Sequence, residues 1–222
     1  MIQPSRLQGV FETQGRRRSL WTRNLDPGKK VYEERLFREG GIEYREWNPK
    51  RSKLAAGIMK GISQIGIRPG STVLYLGASS GTTVSHVSDI LGEKGFVFAI
   101  DFAPTMVREL VFLSESRPNI APILGDASHP ETYLGRVFQV DVVFQDIAQR
   151  NQVKMFLTNV SYFLKVGGFA LLSVKSRSVD VTKKPRAIFR EVKDALEKSL
   201  TIVDYKELDP LEKDHCLFVC KK

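Results

Sequence analysis

In Val73-Leu74-Tyr75-Leu76-Gly77-Ala78-Ser79-Ser80-Gly81-Thr82-Thr83, four residues with strand-compatible side chains run into two glycines and then into hydroxyl residues. The apolar period then changes, and Val84, Val87, Ile90 and Leu91 recur at helical spacing up to Gly92. The pattern is strand, glycine turn, helix, the first half of a βαβ unit. Lacking a Cβ, Gly77 and Gly81 let backbone approach a ligand closely, or simply shape a sharp turn. A second apolar run, Phe96 to Ile100, ends on Asp101, twenty residues past Gly81. An acid at the end of the second strand is where a Rossmann-like fold meets a ribose diol.

The glycine spacing is Gly-x-x-x-Gly, not the Gly-x-Gly-x-x-Gly of dinucleotide sites, so no pyrophosphate cradle is expected. A nucleoside ligand without pyrophosphate fits better, and S-adenosylmethionine is the commonest cofactor of that kind.

A chain of 222 residues, 42% hydrophobic, suits one α/β domain with a small appendage. No apolar run reaches the roughly 18 residues of a membrane span, and the polar start at Ile2 to Arg6 is unlike a signal peptide. Cys216 and Cys220 lie four apart; on a strand they share a face, too far apart for a comfortable bridge. A soluble, cytoplasmic protein without a metal site or a membrane partner is expected. The net charge is +9, and residues 1–60 hold 14 Lys and Arg against 7 acids, while the remainder is nearly balanced at 20 against 18. Basic residues such as Arg16, Arg17, Arg18, Lys50 and Arg51 point to a polyanion or an acidic partner, or to a solvated basic face.

Residues 1–48 read as an antiparallel β subdomain, with strand-like pieces at Gly9–Glu12, Ser19–Thr22, Lys30–Tyr32 and Ile42–Arg45 and a turn at Gln14-Gly15. Residues 49–222 read as the main domain. It opens with a helix carrying Leu54 to Ile62. A helix started by Pro104 turns Val107, Leu110 and Val111 inward, and another over roughly 150–165 stops at Gly167-Gly168. Strands alternate with these helices and end at Gly77, Asp101, Asp126, Asp146 and Lys175, and Thr201–Leu208 with His215–Val219 forms a late hairpin. The fold class is α/β, a Rossmann-like seven-stranded sheet with its last strand reversed, as in S-adenosylmethionine-dependent methyltransferases.

Ligands of open α/β sheets bind beyond the strand carboxyl ends, where this chain places three acids and a lysine. Asp101 suits the ribose hydroxyls, Asp126 the adenine amine, and Asp146 the methionine end. No Asn-Pro-Pro-Tyr-like element is present for N-methylation, and neither cysteine follows a proline as a pyrimidine-methylating nucleophile usually does. Lys53, Asp146, Lys175 and His215 suit a ribose 2′-hydroxyl, whose proton a lysine buried beside another cation could take. Lys53 also reads as one more surface cation, and His215 as an ordinary strand histidine.

The sequence resembles the fibrillarin family, in its archaeal form without a glycine/arginine-rich extension. The resemblance rests on Asn24-Leu25-Asp26-Pro27-Gly28, Glu43-Tyr44-Arg45-Glu46-Trp47-Asn48-Pro49, Arg51-Ser52-Lys53-Leu54-Ala55, the run from Leu74 through Gly81-Thr82-Thr83-Val84-Ser85-His86-Val87-Ser88-Asp89, Gly125-Asp126-Ala127, Val174-Lys175-Ser176-Arg177-Ser178 and Glu212-Lys213-Asp214-His215. It implies a guide-directed RNA ribose 2′-O-methyltransferase with catalytic residues at Lys53, Asp146, Lys175 and His215. It implies cofactor contacts at Thr82-Thr83, Asp101-Phe102, Asp126-Ala127 and Asp146-Ile147-Ala148-Gln149, beside the turn residues Gly77, Ala78 and Gly81. The implied partners are a box C/D guide RNA with its rRNA or tRNA target, a Nop-family scaffold and a kink-turn-binding protein of ribosomal type. Asp101 stands where the family usually has Glu. A stand-alone methyltransferase and a cofactor-binding assembly subunit remain open alternatives.

Overall fold

Short runs in the first 47 residues pair into an antiparallel sheet of order β1-β2-β3-β5-β4: β1 (Ile2–Pro4), β2 (Val10–Thr13), β3 (Ser19–Arg23), β4 (Leu36–Glu39) and β5 (Ile42–Trp47). The structure, a computed structural model, describes residues 1–13 and 18–222. The expected turn at Gln14-Gly15 and the cations Arg16 and Arg17 lie outside the described residues. The edge strands β1 and β4 were not anticipated, being too short for a period to stand out. Lys30-Val31-Tyr32, expected as a strand, is a loop. The Glu34 carboxylate accepts from the N–H of Val31 (3.0 Å) and Tyr32 (2.8 Å), using the donors a ladder would need.

The second sheet has the order β11-β12-β10-β9-β6-β7-β8. Its strands are β6 (Thr72–Leu76), β7 (Phe96–Asp101), β8 (Ile120–Leu124), β9 (Val140–Gln145), β10 (Leu164–Lys175), β11 (Thr201–Glu207) and β12 (His215–Lys221). β12 runs opposite to the other six strands of this sheet. Both faces are covered, so the central strands are mainly apolar, and alternate residues serve two cores. Val73 and Tyr75 face the N-terminal sheet, α1 (Lys53–Met59), α2 (Thr82–Leu91) and α3 (Pro104–Ser116). Leu74 and Leu76 face α4 (Gln152–Phe163) and α6 (Pro185–Leu196), and a short turn of helix, α5 (Ser176–Val179), follows β10.

Three helix readings are corrected. α1 stops at Met59, and Ile62 is buried beyond its end. In α3 only Leu110 is fully inward; Val111 is 44% exposed, while Leu113 packs on the core from the same side as Leu110. α4 ends at Phe163, and Gly167-Gly168 lies within β10, where the pairing with β9 shifts register between Leu164 and Phe169. Glycines there read as a helix stop but mark a strand irregularity. Cys216 and Cys220 are free and buried on one face, and burial pushes the Cys220 thiol up to about 12.

The N-terminal sheet is fastened to α2 by a buried polar network. Arg45 donates to Glu34 (2.6 Å), Asp89 (2.9 Å) and Ser85 (3.0 Å), and Arg117 donates to Asp89 (2.6 Å) and Asn24 (3.0 Å). His86 stacks on Trp47 with centroids 5.0 Å apart, and its two ring nitrogens meet Thr22 (2.7 Å) and Tyr32 (2.6 Å). Much of the sequence run that carried the family resemblance, from Ser85 to Asp89, therefore holds two sheets together.

Candidate active site

The carboxyl ends of β6, β7, β8 and β9 open onto a cleft of about 310 Å³, within the few-hundred-Å³ range usual for small-molecule sites. Gly77, Asp101, Phe102, Asp126, Ala127, Asp146, Ile147, Ala148 and Gln149, all named above as cofactor-contact candidates, line it, joined by Ile100 and Met155. Gly77 has φ 81°, and a Cβ there would lie 2.6 Å from the Asp146 carbonyl oxygen, so only glycine fits.

Asp101 divides its oxygens between backbone donors. Oδ2 accepts from Ser79 N–H (2.8 Å), pinning the glycine turn, and Oδ1 accepts from Ala103 N–H (3.0 Å). Each oxygen keeps a lone pair for a ribose hydroxyl. Among the described residues Asp126 uses only Oδ1, which accepts from the Ser128 hydroxyl (2.6 Å) and N–H (2.8 Å). Those two bonds hold its carboxyl below the ordinary aspartate range and leave Oδ2 for an exocyclic amine. Ser128 was overlooked, although an Asp followed two residues later by Ser is a readable Asx turn. The apolar wall and the 70%-exposed Phe102 give an adenine a surface to lie against. The residues present fit S-adenosylmethionine.

Ala78, Gly81, Thr82 and Thr83 stand outside the cleft wall. Gly81 caps α2 at φ 94°, and a Cβ there would lie 2.5 Å from Leu113 of α3. Its bareness serves helix packing rather than ligand approach. Thr83 donates to the Ser52 hydroxyl (3.0 Å), and Ser52 in turn accepts from Ala55 N–H as the N-cap of α1. Ser52, quoted above only as part of a motif, anchors the helix whose first residue is Lys53.

Lys53 Nζ lies 3.2 Å from Asp146 Oδ1 and 3.3 Å from Oδ2. Lys175 ends β10 directly opposite His215, which begins β12. By strand alternation both share the face of Leu171 and Leu217, the face that α1 covers. The four residues therefore converge on one edge of the sheet. His215 Nδ1 lies 2.7 Å from the Lys213 carbonyl oxygen, which can only accept, so Nδ1 carries the hydrogen. A lysine that takes the 2′-hydroxyl proton needs burial beside another cation. Lys175 is instead exposed, because it stands at the free end of its strand, and Lys53 has a carboxylate for a partner.

The sequence profile of the fibrillarin family matches residues 2–222. The chain is 53% identical over 213 residues to the fibrillarin-like rRNA/tRNA 2′-O-methyltransferase of Thermococcus onnurineus, covering 96% of this chain and 94% of that one. It is similar to Aeropyrum pernix fibrillarin, solved in complex with natively bound S-adenosyl-L-methionine, with a TM-score of 0.91 at 40% identity over 99% of this chain and 97% of that one. It is similar also to the fibrillarin of a fibrillarin/Nop5p complex, with a TM-score of 0.89 at 38% identity over 99% of this chain and 100% of the other.

Proposed function

The chain belongs to the fibrillarin family, and from that premise we propose that it is an S-adenosylmethionine-dependent RNA ribose 2′-O-methyltransferase, the catalytic subunit of a box C/D guide ribonucleoprotein. The observation that carries the reading is the convergence of Lys53, Asp146, Lys175 and His215 beside a cleft whose carboxylates keep lone pairs free. A Nop-family partner follows from the relative solved with Nop5p. The finer assembly, with a guide RNA, an rRNA or tRNA target and a kink-turn-binding protein, belongs to the proposal, as does a cytoplasmic setting.

When bound, S-adenosylmethionine supplies a methyl group made electrophilic by its sulfonium. The chain's own residues divide the remaining work. Asp101 and Asp126 hold the nucleoside end, and Gly77 lets the backbone approach it. The Lys53–Asp146 pair fixes the charge at the cleft mouth. Lys175, exposed at its strand end, meets the 2′-hydroxyl and offsets the charge that builds on its oxygen as the proton leaves to solvent. His215, its tautomer set by Lys213, presents Nε2 from the opposite strand.

Reconstitution with scaffold, kink-turn protein and guide RNA tests the reading. The methylated ribose, mapped by resistance to alkaline cleavage, moves by one nucleotide when the guide is shifted by one. Methylation at the same positions without guide or partners would favour a stand-alone enzyme.

A further inference from the structure

The charge balance of the sequence pointed to the first sixty residues, where the structure pairs five of the 14 cations with acids of the same segment. Arg18 pairs with Glu12, Lys29 with Asp26, Arg35 with Glu46, Arg38 with Glu43 and Arg45 with Glu34. A different cationic surface begins at Lys175 itself. Residues 175–190 hold six Lys and Arg against the single acid Asp180, a concentration concealed by the acids that follow. Asp180 is committed internally: its Oδ1 accepts from the Thr182 hydroxyl (2.6 Å) and N–H (2.8 Å), closing the loop between α5 and α6. Arg150, from the loop that carries Ile147 to Gln149 past the cofactor cleft, lies within charge reach of Asp180 and so joins this surface.

We propose that Arg150, Arg177, Lys183, Lys184, Arg186 and Arg190 form the surface on which the phosphate backbone of the substrate RNA is held beyond Lys175, on the α6 side of the sheet edge. The proposal rests on the ribose methyltransferase reading above and adds the path of the strand. α1, with Lys50 and Arg51 just before it, covers one face of the sheet, and α6 covers the other. An RNA strand crossing the carboxyl edge meets cations on both sides of Lys175.

All six cations are exposed. Three have surface partners that a phosphate displaces at small cost: Arg177 with Asp214 (3.2 Å), Lys183 with Glu191 (2.6 Å), and Arg186 with Glu207 (3.4 Å). Among the described residues, Arg150, Lys184 and Arg190 pair with no carboxylate. Four of the six are arginines, whose planar fork matches phosphate. An acidic protein face is less favoured, because a protein interface needs apolar anchors at its centre and Val181 is the exposed apolar residue on this loop.

The test combines Lys183→Ala, Lys184→Ala, Arg186→Ala and Arg190→Ala, none of which touches the cofactor cleft. Wild type and variant are compared for affinity to single-stranded oligouridine against potassium chloride, for S-adenosylmethionine binding by calorimetry, and for guided methylation in the assembled complex. Cofactor binding stays unchanged. The salt slope of RNA binding falls by about 0.7 per lost phosphate contact, about 2 to 3 in all. Guided methylation by the variant fails at lower salt than wild type. Identical slopes would overturn the proposal, and identical slopes with guided methylation lost would assign the surface to an acidic protein of the complex instead. A wild-type complex without methyl transfer would defeat the activity reading instead, and a slope difference would still support the RNA surface.

Discussion

Asp89 and Asp146 are both aspartates facing cations, and their surroundings could hardly differ more. Asp89 is fully buried and accepts four hydrogen bonds: Oδ1 from Leu25 N–H and Arg117, Oδ2 from Thr22 and Arg45. Asp146 sits at the cleft mouth with Lys53 as its side-chain partner among the described residues. The first has its lone pairs filled and can do nothing but hold the two sheets in register. The second keeps acceptor capacity in hand. The histidines repeat the contrast: both nitrogens of His86 are engaged, whereas among the described residues His215 has only Nδ1 committed. In this molecule saturation marks architecture, and residual bonding capacity marks chemistry.

The largest expected effect tests the saturated side. Asp89→Asn keeps the shape but leaves two buried guanidiniums without their shared anion. Removing one member of such a network costs about 3–5 kcal/mol, read as a drop in urea midpoint. Asp146→Asn, in the half-open pair, changes stability by less than about 1 kcal/mol while abolishing methyl transfer. Comparable destabilisation by the two substitutions would break the contrast.

Next comes the open side alone. Lys175→Ala lowers guided methyl transfer by about two to three orders of magnitude, the usual scale for a group that stabilises a developing oxyanion. Affinity for S-adenosylmethionine stays within about twofold, since Lys175 does not line the cofactor cleft and acts on the transition state more than on binding. Calorimetry and single-turnover assays measure the two quantities, and near-normal turnover would remove Lys175 from its role.

The strand ends were legible because they obey simple rules. Apolar runs finish at Gly77, Asp101, Asp126 and Asp146, and an open sheet binds at those ends. The network around Asp89 was not legible. Its members come from Thr22, Asn24, Glu34, Arg45, Asp89 and Arg117, on separate elements that only tertiary packing unites. Family resemblance made the run at Ser85–Asp89 stand out, but nothing local separates a buried charge from an exposed one. Lys30–Tyr32 failed for a related reason, since a side chain downstream took the backbone donors. The cationic surface after Lys175 was hidden by averaging charge over too long a segment.

The glycine turn offers a smaller and sharper comparison. Gly77→Ala drives a Cβ against the Asp146 carbonyl, a backbone atom that cannot yield cheaply, and it does so in the cofactor wall. Cofactor affinity falls by more than about tenfold, equivalent to about 1.4 kcal/mol. Gly81→Ala meets the end of the Leu113 side chain, which can swing away. The remaining penalty is left-handed backbone, about 1–2 kcal/mol of stability, with cofactor affinity little changed. Calorimetry and denaturation on the pair separate the two, and the reverse assignment would place the ligand at α2 instead of at Gly77.

The smallest effect is the proton linkage of His86. Burial, reinforced by Arg45 and Arg117, holds its folded pKa well below the ordinary histidine value. The unfolded chain takes up a proton near pH 6.5, where the folded one does not, so the unfolded state binds more protons and stability falls as pH drops. For one such group the loss between about pH 7.5 and about pH 5.5 is about 1.4 kcal/mol. Carboxylates with lowered pKa values, such as Glu34, act in the same direction but at more acid pH. His86→Gln isolates the histidine: the variant is less stable at neutral pH, because Trp47 loses its stacked partner, yet its stability changes less over this range. Parallel stability–pH curves for wild type and variant would mean that the folded protein can protonate His86. The network would then retain spare capacity, and the contrast with His215 would no longer separate the architectural histidine from the chemical one.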